Sequence, residues 1–319
     1  MDQEKCYDHL VTSLEHYLLE NDLESMILGI SGGIDSTLVA AICNSVVERN
    51  PSLKLIGVSM PSTTNEKEEV DTADLVGKSL CTIYEVKPIQ EIYEKFLSSM
   101  TNIEQQSKLA NGNIKARLRM IYLYNLASLN KGIVMSTGNL TETLTGFWTL
   151  HGDEGDLGPI EYLYKHEVYE LCDWLISKLQ KEQKVYTCLR NEEKAQRLKL
   201  IKTAIESSIK LIPTDGNGVM AGGDLEQIAP GNTYNDVDEI LEVLQSINSP
   251  TLSAELYMSI LKSGLLEGNL KERALRLIKK YDEDTILRVA KRFVNSRYKR
   301  KHRPLVITEN GVEESRFSV

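Results

Sequence analysis

Apolar and polar positions along the first half of the chain form blocks that predict strands separated by helices. Short apolar runs predict four buried strands, at residues 26–30, 53–60, 82–86 and 133–136. Longer amphipathic stretches predict the helices around them, at residues 4–20, 37–49, 66–80, 89–99 and 114–129. Strands that alternate with helices are typical of a parallel sheet with right-handed crossovers. We therefore predict an α/β fold with a Rossmann-like, doubly wound parallel sheet flanked by helices.

The second half of the chain has a helical pattern. Apolar positions recur at helical spacing along residues 168–179 and again along residues 237–244. Residues 181–210 carry charges of both signs and have a moderate helical pattern. Residues 213–235 are polar and glycine-rich, with too few apolar positions for a regular element, so we interpret them as a mobile loop that orders on substrate.

Composition and charge narrow the class of protein. The 319 residues are 41% hydrophobic and 26% charged, which is ordinary for a globular chain with a substantial core. The net charge of -9 argues against general nucleic-acid binding, and the five cysteines lack CxxC spacing and are typical of reduced thiols. Residues 1–10 carry charges where a signal peptide needs an apolar core, and no run approaches the ~18 apolar residues of a membrane span. We expect a cytoplasmic protein that acts on neither nucleic acid nor membranes.

A glycine-rich turn joins the first predicted strand to the helix that follows it. Residues 29–36 read GISGGIDS. Glycines let backbone N–H groups approach an anion, and a helix N-terminus adds a positive dipole end, so this turn is typical of a phosphate cradle. It lacks the lysine of a Walker loop and carries Asp35, which indicates a metal ion between this carboxylate and a phosphate. The alternative is a helix N-cap in which Ser31 or Ser36 satisfies backbone amides.

Acidic residues follow the fourth predicted strand. Glu142, Asp153 and Asp156 lie in glycine-rich sequence at the same predicted edge of the sheet as residues 29–36. Carboxylates beside a phosphate cradle suggest Mg²⁺ ligation, although a Gly-Asp-Glu-Gly-Asp run taken alone is more often a surface turn. Lys165 opens a predicted helix, from which it could reach a phosphate.

A basic stretch between the third and fourth strands offers a further binding group. Asn113 can cap the helix predicted over residues 114–129, and Arg117 lies four residues later on the same face. An arginine held in this way suits a ribose, phosphate or carboxylate contact. The alternative is a solvated basic helix start.

Five segments, in this order, carry a resemblance to one family. They are GISGGIDSTL at 29–38, NGNIKARLRM at 111–120, STGNLTE at 136–142, TGFWTLHGDEGD at 145–156 and PIEYLYKHEV at 159–168. The chain resembles the ammonia-dependent NAD synthetases, which are N-type ATP pyrophosphatases, or the synthetase portion of the glutamine-dependent enzymes. The resemblance implies an adenine nucleotide alpha hydrolase-like fold and a single synthetase domain over residues 1–319. Relative to that family, residues 181–210 are expected to be a helical insertion.

The resemblance also implies a reaction and a set of site residues. The family adenylates the nicotinate carboxylate of deamido-NAD with ATP and Mg²⁺, releasing pyrophosphate, and ammonia then displaces AMP to leave the amide of NAD. The residues that it assigns to ATP are Gly29, Ser31, Gly32, Gly33, Asp35, Ser36, Arg119, Thr137, Lys165 and Thr214. Those that it assigns to deamido-NAD are Asn113, Arg117, Phe147, Asp156, Tyr298 and Lys299.

Metal and catalytic roles follow from the same resemblance. Asp35, Glu142 and Thr214 are assigned to Mg²⁺, while Asp35, Lys165 and Asp153 are assigned to catalysis. Asp153 would meet the ammonium ion and help deprotonate it, because only neutral ammonia is a nucleophile. Relatives are homodimers with substrate sites at the subunit interface, so we expect a homodimer. The chain shows no fused glutaminase, so ammonia would arrive free or from a separate glutaminase partner.

Two departures from the family pattern leave the acceptor open. Leu150 stands where most relatives have a lysine, and Glu154 replaces a glycine. One alternative is therefore another ATP pyrophosphatase-type ligase or amidotransferase with a different acceptor; paired cysteines that would favour a tRNA thiolase are absent from the sequence. A second alternative is a non-catalytic nucleotide-binding subunit. The residues that argue against it, because binding alone would not require them, are Asp35, Glu142, Asp153 and Lys165.

Overall fold

A parallel sheet organises the N-terminal half of the protein. The computed structural model describes residues 1–100, 107–211, 223–247, 249, 251–301 and 304–314. Its main strands are β1 Ser25–Gly29, β2 Lys54–Ser59, β3 Ile83–Val86 and β4 Gly132–Val134, all parallel and in the spatial order β3-β2-β1-β4. The order reverses beside β1, so the carboxyl end of β1 lies at the switch point where such sheets bind ligands.

Helices cover both faces of this sheet and continue into the C-terminal half. In chain order they are α1 Gln3–Glu20, α2 Ile34–Arg49, α3 Lys67–Leu80, α4 Gln90–Ser98, α5 Lys108–Leu129, α6 Leu140–Thr145, α7 Lys165–Cys188, α8 Glu192–Lys210, α9 Gly223–Ile228, α10 Tyr234–Ile247, α11 Ala254–Ser263, α12 Gly268–Lys280 and α13 Glu283–Asn295. Within the described ranges, none of these helices has the length and apolarity that crossing a bilayer requires.

Alternate residues of β1 explain why both faces are covered. Met26 and Leu28 belong to a core formed with α1, α2, α7 and α8, whereas Ile27 belongs to a separate core formed with α5. Successive side chains of a strand point to opposite faces, so a strand that is apolar throughout needs helices on both sides. The predicted doubly wound sheet is confirmed.

A third apolar core lies among the C-terminal helices. Buried residues of α10, α11, α12 and α13 pack together with Leu140 and Leu144 of α6. A small second sheet adjoins β4, because Met135 forms a parallel bridge to Leu157 of β5 (Leu157–Gly158). β5 pairs with β6 Leu305–Thr308, which pairs antiparallel with β7 Gly311–Glu314. The hydrophobic pattern did not predict this second sheet.

Two local predictions are wrong. The helix predicted from residue 114 begins at Lys108, and the Ser107 hydroxyl, at 3.1 Å, accepts from the N–H of Ala110, so Asn113 lies inside α5 and does not cap it. Of the segment 213–235, which was predicted to lack regular structure, residues 213–222 lie outside the described residues, but from residue 223 it includes α9, whose Ile228 is fully buried in the C-terminal core. Tertiary packing stabilises a helix there that the local pattern does not indicate.

Candidate active site

The turn between β1 and α2 presents backbone amides at the carboxyl end of the sheet. The N-cap of α2 is Gly33, which has no side chain that could form a capping bond. Ser31 Oγ accepts from the Gly33 N–H at 3.2 Å and lies 2.9 Å from Ser36 Oγ. Gly32 has φ +87°, and an added Cβ would lie 2.7 Å from the Glu69 carbonyl oxygen, so only glycine fits this close approach. The first turn of α2 is thus built to receive an anion.

A lysine and two carboxylates from three helices meet beside this turn. Lys165 Nζ at the start of α7 donates to Asp35 Oδ2 of α2 and, at 3.4 Å, to Glu142 Oε1 of α6. The lysine side chain is 5% exposed, and the two carboxylates are 16% and 18% exposed. Asn139 Nδ2 donates to Asp35 Oδ1 at 3.0 Å, which fixes the other carboxylate oxygen.

The two carboxylates satisfy the ligand preference of Mg²⁺. Oxygens of Asp35 and Glu142 converge on one cation, the Lys165 ammonium group. Mg²⁺ in phosphate-transfer sites is held by one or two carboxylates together with substrate phosphates and water. Among the described residues no group of three or more acidic, histidine or cysteine side chains could form an all-protein metal cage. The donor set therefore fits a magnesium ion that also needs phosphate ligands.

A second group of side chains lies where α5 faces the loop after α6. Asn113 Oδ1 accepts from Thr149 Oγ1 at 2.8 Å. Arg117 donates from Nε and Nη2 to the Leu150 carbonyl oxygen at 3.3 and 3.2 Å. Arg117 thus holds this loop through the backbone of Leu150. The contact does not involve the Leu150 side chain, so it does not depend on whether position 150 carries leucine or lysine.

Asp153 lines the cavity and is exposed to solvent. Its Oδ2 accepts from the Thr149 backbone N–H at 2.5 Å. Burial raises the pKa of the Asp153 carboxyl, and the Thr149 hydrogen bond and the positive charges of Arg119 and Lys299 oppose that rise. Burial lowers the pKa of Arg119 and of Lys299. A carboxylate with a raised pKa beside cationic groups is a suitable proton acceptor.

One cavity of about 780 Å³ joins these groups. Its volume lies within the range typical of small-molecule sites. The predicted site residues that line it are Gly29, Ser31, Gly33, Asp35, Asn113, Arg117, Arg119, Thr137, Glu142, Phe147, Asp153, Lys165, Tyr298 and Lys299. Residues assigned from sequence to nucleotide phosphates, to the acceptor and to ammonia therefore share one space.

This geometry agrees with a family match in the sequence. Residues 6–184, which include the turn at 29–36, both carboxylates and Lys165, match the family described as NAD synthase. The chain belongs to the NAD synthase family.

Family relatives include enzymes of both ammonia-dependent and glutamine-dependent description. The chain is 36% identical over 176 residues to the NH(3)-dependent NAD(+) synthetase of Methanococcoides burtonii, covering 55% of this chain and 66% of that protein. It is 38% identical over 146 residues to the enzyme of the same description from Thermoplasma volcanium (46% of this chain, 58% of that protein). It is 32% identical over 183 residues to the glutamine-dependent NAD(+) synthetase of Thermotoga maritima (56% and 31%). The chain thus spans less than two thirds of each of these relatives.

Two solved structures share the fold of this chain. The NH3-dependent NAD synthetase of Campylobacter jejuni, solved with nitrate, matches with a TM-score of 0.51 and 28% identity over 66% of this chain and 94% of that chain. The NMN synthetase of Francisella tularensis matches with a TM-score of 0.60 over 89% of this chain and 96% of that chain. At 22% identity the second likeness concerns the fold alone.

Four residues predicted for the site lie elsewhere or outside the described residues. Gly32 and Ser36 do not line the cavity. Ser36 is buried and donates to the Gly33 carbonyl oxygen at 3.0 Å, so it stabilises the turn from the side that faces away from the cavity. Asp156 accepts from the Tyr124 hydroxyl at 2.8 Å and joins β4 to its neighbours, away from the cavity lining. Thr214 lies outside the described residues.

Sequence reasoning missed Asn139 and Gln227. Asn139 caps α6 by accepting from the Glu142 N–H, while Glu142 accepts from the Asn139 N–H. The spacing Asn-x-x-Glu is the sequence signal of such a capping box and could have identified Asn139. Gln227 lines the cavity with both amide atoms buried and without a hydrogen-bond partner in the described part of the chain. No sequence signal indicated it, because it lies in the segment interpreted as irregular.

Proposed function

We propose that this chain amidates deamido-NAD with ammonia and ATP, forming NAD, AMP and pyrophosphate through an adenylated intermediate. The observation that carries the proposal is the convergence of Lys165, Asp35 and Glu142 beside the amides of a phosphate-type turn. Family membership and the descriptions of the relatives support the same reaction. The reaction makes a C–N bond, so the enzyme would be a ligase.

The first half-reaction brings two anions together. A nicotinate carboxylate and a phosphate repel each other by about 4 kcal/mol per charge pair at ~4 Å with an effective dielectric constant of about 20. Lys165 would offset this repulsion at the α-phosphate, and the N-terminal amides of α2 would stabilise the charge that develops on the leaving pyrophosphate. Asp35 and Glu142 would hold Mg²⁺, which would supply positive charge to neutralise the polyphosphate.

The second half-reaction needs neutral ammonia. Asp153 would accept a proton from the ammonium ion, a role that its raised pKa supports. Ammonia would then add to the acyl carbon, AMP would leave with the former carboxylate oxygen, and the added nitrogen would lose its surplus proton to solvent to give the neutral amide. Asn113 and Arg117 would hold deamido-NAD near the loop that carries Asp153.

The ammonia source and assembly are further parts of the proposal. We propose that ammonia arrives free or from a separate glutaminase and that the enzyme works as a homodimer. Light scattering on the purified chain measures its mass in solution, and a monomer at working concentrations would contradict the dimer.

Isotope exchange tests the first half-reaction directly. Labelled pyrophosphate should enter ATP when deamido-NAD and Mg²⁺ are present and ammonium is omitted. Asp35→Asn should abolish the exchange while the protein remains folded, because the substitution removes a charged ligand for Mg²⁺. Exchange that requires no deamido-NAD, or an Asp35→Asn protein with wild-type turnover, would contradict the proposal.

A further inference from the structure

One face of α10 contacts the residues that begin α7. Tyr234, Asp238 and Gln245 share this face, because they lie four and seven residues apart along the helix. The Tyr234 ring centroid lies 5.6 Å from Lys165 Nζ. The Tyr164 hydroxyl donates to Gln245 Oε1 at 3.1 Å. A helix of the C-terminal core thus contacts the catalytic lysine and its N-terminal neighbour.

Asp238 makes the central contact of this face. Its carboxylate is fully buried. Oδ1 accepts from the Thr141 hydroxyl at 2.5 Å, and Oδ2 accepts from the His166 backbone N–H at 3.2 Å. His166 Nδ1 lies 2.8 Å from the same Oδ2. Thr141 Oγ1 in turn accepts from the Lys165 backbone N–H at 2.8 Å. The first two backbone N–H groups of α7 are therefore both linked to the Asp238 carboxylate. That of His166 bonds to it directly, and that of Lys165 bonds to it through the Thr141 hydroxyl.

This arrangement fixes the backbone from which the lysine extends. The first amides of a helix have no partner within the helix, and a negative charge near them is favourable. A buried carboxylate is stable only when its oxygens are hydrogen-bonded, so Asp238 and the start of α7 depend on each other. Because Thr141 directly precedes Glu142 on α6, the same carboxylate also links the start of α7 to the helix that carries Glu142.

We propose that Asp238 is a positioning residue that holds Lys165, through Thr141 and the start of α7, where it meets the nucleotide phosphates. This inference rests on the proposed function, in which Lys165 contacts ATP. A displacement of about 1 Å at a reacting group can cost on the order of 100-fold in rate, so a contact that is remote from the chemistry can govern it. A merely structural role for Asp238 would lower stability and leave the activity of the folded fraction unchanged.

The test separates positioning from stability with isosteric threonine variants. Thr141→Val removes the hydroxyl that links Lys165 to Asp238, and Thr141→Ser keeps it. The matched control is Thr145→Val on the same helix; Thr145 is also buried, but among the described residues its hydroxyl donates to carbonyl oxygens of α6 alone. Rates are compared on protein that circular dichroism shows to be folded, with Asp238→Asn as an additional variant.

The expected result is a loss of kcat of about 10- to 100-fold in Thr141→Val, near wild-type kcat in Thr141→Ser and Thr145→Val, and an unchanged KM for deamido-NAD. Asp238→Asn keeps one acceptor oxygen and should fall in the same range as Thr141→Val. Equal kcat values for Thr141→Val and Thr145→Val would overturn the inference, as would a rise in the deamido-NAD KM that accounts for the whole loss.

A binding measurement keeps the inference separate from the proposed function. If the wild-type protein forms no NAD, the proposed function fails. The positioning role of Asp238 is then tested by calorimetric titration of the variants with ATP and Mg²⁺. Thr141→Val should bind ATP several-fold more weakly than Thr145→Val. Identical ATP affinities in these two variants would overturn the positioning role.

Discussion

Replacing Lys165 with methionine should destabilise the free protein and make its stability depend strongly on Mg²⁺. The lysine ammonium group is the cation to which the Asp35 and Glu142 carboxylates both bond, and all three side chains are largely buried. Breaking a buried ion pair by removing one partner costs about 3–5 kcal/mol, and the residual exposure of both carboxylates favours the lower value. We therefore expect a loss of about 3 kcal/mol in the free energy of unfolding.

This free energy converts into a measurable change in melting temperature. At about 2.1 cal/mol/K per residue, the 319 residues give an unfolding entropy of about 0.67 kcal/mol/K. A loss of about 3 kcal/mol thus lowers Tm by about 4–5 °C. Mg²⁺ should raise the Tm of Lys165→Met more than that of the wild type, because in the variant the ion no longer competes with the lysine for the two carboxylates.

Differential scanning fluorimetry with and without Mg²⁺ measures both effects. Lys181→Met is the matched control, because Lys181 is exposed on the same helix. Turnover of Lys165→Met should fall by about 10²- to 10³-fold, as for the loss of one group that stabilises transition-state charge. A Lys165→Met protein with the Tm of the control, or an equal Mg²⁺ shift in wild type and variant, would refute the reasoning.

Three further predictions follow from the site and its surroundings. Asp153→Asn should slow amide formation more than adenylate formation; equal losses in pyrophosphate release and amide yield would show that the ammonia role is wrong. The hydrogen bond to Asp238 raises the pKa of His166 above 6.5, so its contribution to stability is full below that pH and is lost as pH rises through the folded-state pKa. Wild-type Tm should therefore fall relative to His166→Asn as pH increases, and a pH-independent difference would contradict this assignment. Gly146→Ala should cost at least ~1 kcal/mol of stability in denaturant unfolding, because Gly146 has φ +70° and a new Cβ would lie 2.6 Å from Ser296 Cβ; an unchanged midpoint would show that the loop adapts.

Hydrophobic spacing predicted the first half of the fold well because its strands are short, apolar and separated by amphipathic helices. Each of the four strands of the main sheet begins within one residue of its predicted start. The second sheet was missed because β5 has only two residues and pairs with β6 nearly 150 positions later along the chain. Such pairing depends on tertiary contacts that leave no local period.

The candidate site could be predicted where a short sequence motif by itself indicates phosphate or metal binding. Ser31 lies in a glycine-rich turn whose function depends on backbone geometry, Asp35 follows in the first turn of α2, and both line the cavity. Asp238 was not predictable as part of the site's support, because an acidic residue on an amphipathic helix is usually solvated. Its burial follows from the packing of α10 on α7, which joins the C-terminal core to the nucleotide side of the cavity.

A single incubation with ATP, Mg²⁺, deamido-NAD and ammonium tests the central claim most directly. NAD, AMP and pyrophosphate are followed together by chromatography. We predict equal yields of all three, none of which forms without deamido-NAD. If AMP and pyrophosphate appear only with another acceptor, the deamido-NAD assignment is contradicted. If ATP is not cleaved with any acceptor, the proposed ligase activity is contradicted.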